Sequence, residues 1–235
     1  MDNRTILLKT KLRLNKLASN DFDNLEDYHV IEAFCKGQSD WCRRVLRGIN
    51  ITKDGDEQST SRIDDLQVLL KETPPTLPLV NKQTFWEADK PTDYLRYKRF
   101  SLDATSECCT EPRKMTVYLA EEGNQPELIR NVNTRPSFDW AETFATFVGN
   151  KIRIYTNNEF TPINFKLMYY RQPPKIQIAG VANPYDGTIS TQDVPCIFND
   201  DLIEVFIEEA GTILAGDIES ILQMQRNRQN TDTNN

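Results

Sequence analysis

Histidine is almost missing from this sequence: His29 is the only one in 235 residues. That removes most familiar catalytic arrangements, since serine and cysteine nucleophiles rely on an imidazole base. His29 sits between Tyr28 and Val30 in a strongly helical stretch, where a packing or surface role is expected. Glycine is scarce too, with nine residues and no GxGxxG or GxxxxGK[ST] pattern, so nothing supports a phosphate-cradling loop. The five cysteines contain no CxxC spacing. Reduced cytosolic thiols are expected, with no metal site and no cofactor. No apolar run approaches the roughly eighteen residues that cross a bilayer. Residues 1–16 intersperse Arg4, Lys9, Lys11, Arg13 and Lys16 among isoleucine and leucine, which is unlike a signal peptide.

What the chain does have is acid, concentrated at one end. Residues 1–82 carry thirteen bases and thirteen acids, residues 83–197 thirteen and fourteen, and residues 198–235 two and eight, which accounts for nearly all of the net charge of −7. A near-neutral body therefore carries one acidic helix, from Asp200 to about Gln225. The polar tail that follows, 226–235, has nothing to bury against its own fold. A neighbouring subunit or another protein is the simplest candidate to hold it.

The periodicity indicates an α+β fold: N-terminal helices and a long C-terminal helix packed together, with a central antiparallel β domain, sandwich- or barrel-like. The boundaries read as 1–83 helical, 84–197 antiparallel β, 198–225 C-terminal helix and 226–235 extended tail. A short amphipathic helix is expected over 5–17, and a second helix of about six turns starts at an Asp23 N-cap, with Glu26 completing a capping box. Tyr28, Ile31, Phe34, Cys35, Trp41, Cys42 and Val45 form its apolar face and Gly48 its C-terminal stop. Arg43, Arg44 and Arg47 complement its dipole. A third helix is expected over 62–71, ended by Pro74, Pro75 and Pro78.

Beyond the prolines the period becomes two. Met115, Val117 and Leu119 alternate with polar neighbours, as do Ile152 and Ile154, and Ile163, Phe165, Leu167 and Tyr169. Val148-Gly149-Asn150-Lys151 reads as a hairpin turn, and 175–178 as one more strand, for five to seven strands in all. The last helix has Asn199 as N-cap, Asp200 and Asp201 in its first turn, and Phe198 placed to staple onto Ile203. The small residues Ala210, Gly211, Ala215 and Gly216 keep its middle slim.

No grouping of residues specifies a reaction, and no enzyme is expected. The acid pairs Asp64-Asp65, Glu121-Glu122 and Asp200-Asp201 read as helix first turns or exposed loops. The stretch Tyr94, Arg96, Tyr97, Lys98, Arg99 and Phe100 combines stacking and basic groups as nucleic-acid surfaces do. With a pI near 4.9, a strand with a charged outer face is the expected reading.

A set of segments identifies a family. They are residues 14–25 (LNKLASNDFDNL) leading into Glu32-Ala33-Phe34, Trp41-Cys42-Arg43-Arg44, 62–67 (RIDDLQ), 91–95 (PTDYL), 136–143 (PSFDWAET), 149–156 (GNKIRIYT) and 169–174 (YYRQPP). Together they resemble the neck or ring proteins of crAss-like podoviral phages, over roughly residues 14–222. The resemblance implies a virion structural protein made in the bacterial host cytoplasm: a subunit of a dodecameric ring between portal and tail, around the channel through which double-stranded DNA leaves. Implied partners are other copies of the chain, the portal protein and adjacent neck or tail rings, with no membrane span. Met224, Arg226, Arg228 and Gln229 become candidates for docking on the portal or a neighbouring ring. Glu121, Glu122, Glu204 and Glu208 become candidates for facing the channel or a basic ring surface, since a lumen that repels phosphate lets DNA slide. The competing readings are a carboxylate-only hydrolase and a β-domain binding module of the tail that recognises a host or virion ligand.

Overall fold

Elements follow where each stretch can bury one face. In chain order they are α1 (Asn3–Leu17), α2 (Asp27–Arg47), β1 (Leu70–Thr73), β2 (Val80–Asn81), β3 (Phe85–Asp89), β4 (Tyr94–Ser106), β5 (Cys109–Ala120), a 3₁₀ turn (Glu122–Asn124), α3 (Gln125–Arg130), β6 (Glu142–Val148), β7 (Lys151–Tyr155), β8 (Thr161–Arg171) and α4 (Asp200–Ile218). The structure is a computed structural model that describes residues 1–17, 26–47, 65–74, 80–82, 84–107 and 109–218, without the side chains of 15–17, 47, 217 and 218. It is mixed α+β. Contacts group the described residues into two units, one holding those before Leu69 and from Pro173 onward, the other Leu69–Gln172. Residues 69–74 and 80–82 thus group with the sheet, and 173–197 with the helices.

In the helical unit, α1 and α2 both pack on α4. Phe206 is the hub: its aromatic ring lies 5.9 Å from Phe34, 5.5 Å from Trp41 and 5.3 Å from Phe198, edge-on to each. Phe198 is therefore held by Trp41 and Phe206. Gly37 lets α2 approach closely, because a Cβ there would lie 3.2 Å from Glu209 Cβ. On α1 the buried face is Asn3, Ile6, Thr10 and Leu14, whereas Leu8 and Leu12 are each 60% exposed. Burying Asn3 is tolerated because its side-chain amide donates to the carbonyls of Gln177 and Val194, both at 2.8 Å. The expected strand at 175–178 makes a single bridge, Gln177 to Val194, and joins no sheet.

Among the described residues the sheet has eight strands, in the order β1-β8-β4-β5-β6-β7-β3-β2. All pairs are antiparallel except β5 with β6, which run parallel, joined through α3 and the loop after it. This corrects the wholly antiparallel expectation. The sheet must curl. β4 and β3 are four places apart in the order, roughly 19 Å in a flat sheet. Yet only Lys90–Asp93 joins them, and that link folds into a turn, Tyr94 N–H donating to Pro91 O at 3.1 Å. Curling wraps the sheet around one core in which Leu102, Ala104, Ala145, Ile152, Ile154 and Tyr169 have no exposed surface.

The third expected helix is also corrected. A helical turn covers 65–67, and Leu70–Thr73 is an edge strand paired with β8. Sheet pairing outweighs weak local helical propensity there. The C-terminal helix is described as Asp200–Ile218; 219–225 and the tail, with Met224, Arg226, Arg228 and Gln229, lie outside the described residues, as do Asp23, Gly48, Asp64 and 51–63.

Candidate interaction surfaces

Four acids of α4 are met by bases of the same unit. Lys9 pairs with Glu204, Arg13 with Glu208 at 3.1 Å, Arg44 with Glu209, and the N-terminal ammonium with Asp200 at 2.5 Å. Because residues 1, 9 and 13 meet 200, 204 and 208 in turn, α1 runs parallel to α4 and lays its basic side along it. Each such exposed pair contributes at most about 1 kcal/mol. Together they cancel most of the field that the acidic sequence implies, including that of Glu204 and Glu208.

The Glu121-Glu122 pair splits. Glu121 is exposed, with no ion-pair partner among the described residues. Glu122 is tied into the outer face of the sheet, accepting hydrogen bonds from Thr146 Oγ1 at 2.5 Å, Arg153 Nη1 at 2.7 Å and Tyr155 Oη at 3.0 Å. Arg153 also reaches Glu87 at 3.3 Å, with its guanidinium over the Phe85 ring, and Tyr155 stacks on Phe144 at 4.6 Å. This polar cluster anchors the segment after β5 to β6 and β7.

Burial pushes the Glu122 carboxyl up, but the three donors outweigh it and hold it below the usual glutamate range. Its stabilisation is therefore complete above the unfolded-state value and lost as pH falls through the depressed folded one. Glu122→Gln should cost about 1–2 kcal/mol at pH 7 and make stability fall less steeply between about pH 5 and pH 3. Melting temperatures measured across that range check this; parallel pH profiles for the two proteins would contradict it.

The aromatic and basic stretch of β4 divides between faces through two bulges. Tyr94 pairs with Arg171 and Arg96 with Tyr170; then Tyr97 pairs with Tyr169 and Arg99 with Met168, so β4 twice advances two residues for one on β8. Inward positions consequently fall three apart. Tyr94, Tyr97 and Phe100 pack on the core, and Arg96, Lys98 and Arg99 face solvent. A further shift at Asp103/Ala104 leaves Ile163 46% exposed, although its alternation places it inside.

Among the described residues the most exposed large hydrophobic side chain is Trp140, at 81%. It sits on the turn 138–141, closed by Ala141 N–H donating to Phe138 O at 3.1 Å. The feet of the turn are fixed. Phe138 is buried in the core, its carbonyl accepts from Arg113 Nη1 at 3.1 Å, Thr116 N–H donates to Ala141 O at 2.7 Å, and Ser137 and Glu142 exchange backbone hydrogen bonds. Ala141 has φ of +55°, a conformation that costs a residue with a Cβ about 1–2 kcal/mol. Beside it on β5, Tyr118 is 54% exposed and its hydroxyl lies 3.3 Å from Glu142.

The helical unit holds a cleft of about 440 Å³ between α2 and the segment 175–190. Tyr28, Ile31, Cys35, Ile176, Ile178 and Val181 give it apolar walls, and the exposed Glu32, Lys36 and Lys175 contribute charge. His29 lies outside this lining and meets Tyr28 and Tyr185 edge-on, as a packing residue. Burial pushes the Cys35 thiol up to about 11 and the Cys42 thiol to about 12, which makes both poor nucleophiles near neutrality. Sequence reading assigned no role to Trp140 or to the cleft. The available signal was a tryptophan set in a polar turn, Ser137 to Glu142, outside any strand period.

Among the described residues, no group of three or more histidine, cysteine, aspartate or glutamate side chains could hold a metal ion, and no helix is long and apolar enough to cross a membrane. In comparisons with protein-family models and with curated proteins, nothing matches this chain.

Proposed function

We propose that this chain is a structural subunit of a phage virion: one copy of a dodecameric ring in the neck, joining portal to tail around the DNA exit channel, and no enzyme. The observation that carries the reading is the display of Trp140. A tryptophan 81% exposed on a turn that is hydrogen-bonded at both feet and strained at Ala141 is built for contact with another macromolecule. Leu8 and Leu12 on α1, Val132, and Tyr185 and Ile189 before α4 add exposed apolar groups on both units. A subunit that touches identical neighbours on two different faces needs such surfaces. With Glu204 and Glu208 paired to bases and Glu122 bonded inside its unit, Glu121 is the one acid of the four without an ion-pair partner among the described residues, and it is the one we assign to the channel.

Native mass, measured for the protein alone and mixed with the portal protein of the same virion, tests this. A ring of many copies under either condition is the expected result. A monomer indifferent to the portal would turn the reading to a tail binding module, for which Trp140 and Tyr118 on the β unit would be the recognition surface.

A further inference from the structure

We infer that Trp140 of one copy seats in the cleft between α2 and the segment 175–190 of a second copy, making a head-to-tail contact. This rests on the reading of the chain as a self-assembling subunit, and it names the two surfaces that meet. The two are complementary in shape and in charge. One is a single indole standing out from a fixed turn; the other is a concave site of about 440 Å³, inside the range that takes a compact group. Its walls carry the half-buried Ile31 and Val181 for the indole faces over a floor of the buried Ile176 and Ile178, and Glu32 supplies a carboxylate to accept the indole N–H.

Charge fixes the approach. Asp139 precedes Trp140, is exposed and has no ion pair among the described residues. Lys36 and Lys175 in the cleft are exposed and likewise unpaired among the described residues. The turn thus offers an anion beside its indole, and the cleft offers two cations against the one carboxylate of Glu32, an excess of positive charge beside its apolar walls. Both surfaces are present on every copy, so each subunit gives an indole to one neighbour and receives one from another. Such heterologous contacts close into a ring when the rotation between copies permits. A preformed turn loses little freedom on docking, which is the advantage of holding Trp140 on a strained, bonded loop.

The test is sedimentation velocity over a concentration series, under whichever condition, with or without the portal protein, assembles the wild type. Trp140→Ala should weaken association at least about tenfold, with an unchanged melting temperature because the side chain is exposed. Asp139→Lys should weaken it, as should Lys36→Glu with Lys175→Glu, and the three together should recover much of the loss. If the wild type assembles and Trp140→Ala assembles equally well, the contact is elsewhere and the ring reading survives alone. If the wild type assembles under neither condition, both fall. Should Trp140→Ala misfold, the charge exchange decides: no recovery in the triple variant overturns the pairing.

Discussion

Phe206→Ala should cost the helical unit about 3–5 kcal/mol, a large part of the roughly 5–15 kcal/mol that holds a typical domain folded. Phe206 has no exposed surface, and its ring is the common contact of Phe34, Trp41 and Phe198, so truncation leaves a cavity walled by three aromatic groups. Two of those groups come from α2 and the third from the residue before α4's N-cap. They cannot close the gap without moving α2 against α4, where Gly37 already lies tight on Glu209. Urea denaturation followed by far-ultraviolet circular dichroism should show the midpoint falling. Phe206→Leu should recover much of the loss, because it restores volume without the edge-on contacts. A loss below about 1 kcal/mol for the alanine variant would mean that the three rings pack on one another without it.

How much of this was legible beforehand depends on how local the cause is. Phe34, Phe206 and Ile207 stand at helical spacing, and their burial follows from that spacing alone. The turn at Gly149 was legible too, since its φ of +55° suits glycine between β6 and β7. Longer-range causes were not. Leu8 and Leu12 are as apolar as the buried face, but α1 turns Asn3, Ile6, Thr10 and Leu14 inward, where Ile6 and Leu14 are buried and the Asn3 amide meets the carbonyls of Gln177 and Val194. The bulges of β4 break the period of two, so Tyr94, Tyr97 and Phe100 share a face that alternation assigns to both. The edge strand at Leu70–Thr73 exists only because β8, about a hundred residues away in the chain, offers it a partner.

The acids illustrate the same limit for function. Counting charge along the chain marks the last helix as a free anionic surface, and only the fold brings Lys9, Arg13 and Arg44 against it. Trp140, the side chain on which the proposed contact rests, belongs to a loop whose geometry depends on Arg113 and Thr116 from β5. No spacing rule connects those positions to residue 140.

At Tyr169, two substitutions should separate the hydrogen bond from the volume. The side chain has no exposed surface, lies in the sheet core, stacks on Tyr94 at 5.8 Å, and donates its hydroxyl to Asp93 Oδ1 at 2.6 Å. Asp93 also receives Lys71 Nζ at 3.1 Å, and its carbonyl accepts from Gln172 N–H at 2.7 Å. One carboxylate thus joins the β3–β4 link to β1 and β8, where the sheet curls round. Burial pushes the Asp93 carboxyl up, but the bonds from Tyr169 and Lys71 outweigh it and keep it below the usual aspartate range. Tyr169→Phe should cost about 1–2 kcal/mol, and because Lys71 still holds Asp93, much of the acid sensitivity should persist. Tyr169→Ala should cost about 3–5 kcal/mol, since the core loses a whole ring as well. If the two variants melted together, the hydroxyl bond at the β3–β4 link would supply most of the side chain's stabilisation and the packing of its ring little. If Tyr169→Phe melted like the wild type, Lys71 alone would suffice to hold Asp93, and the curl of the sheet would rest on its core.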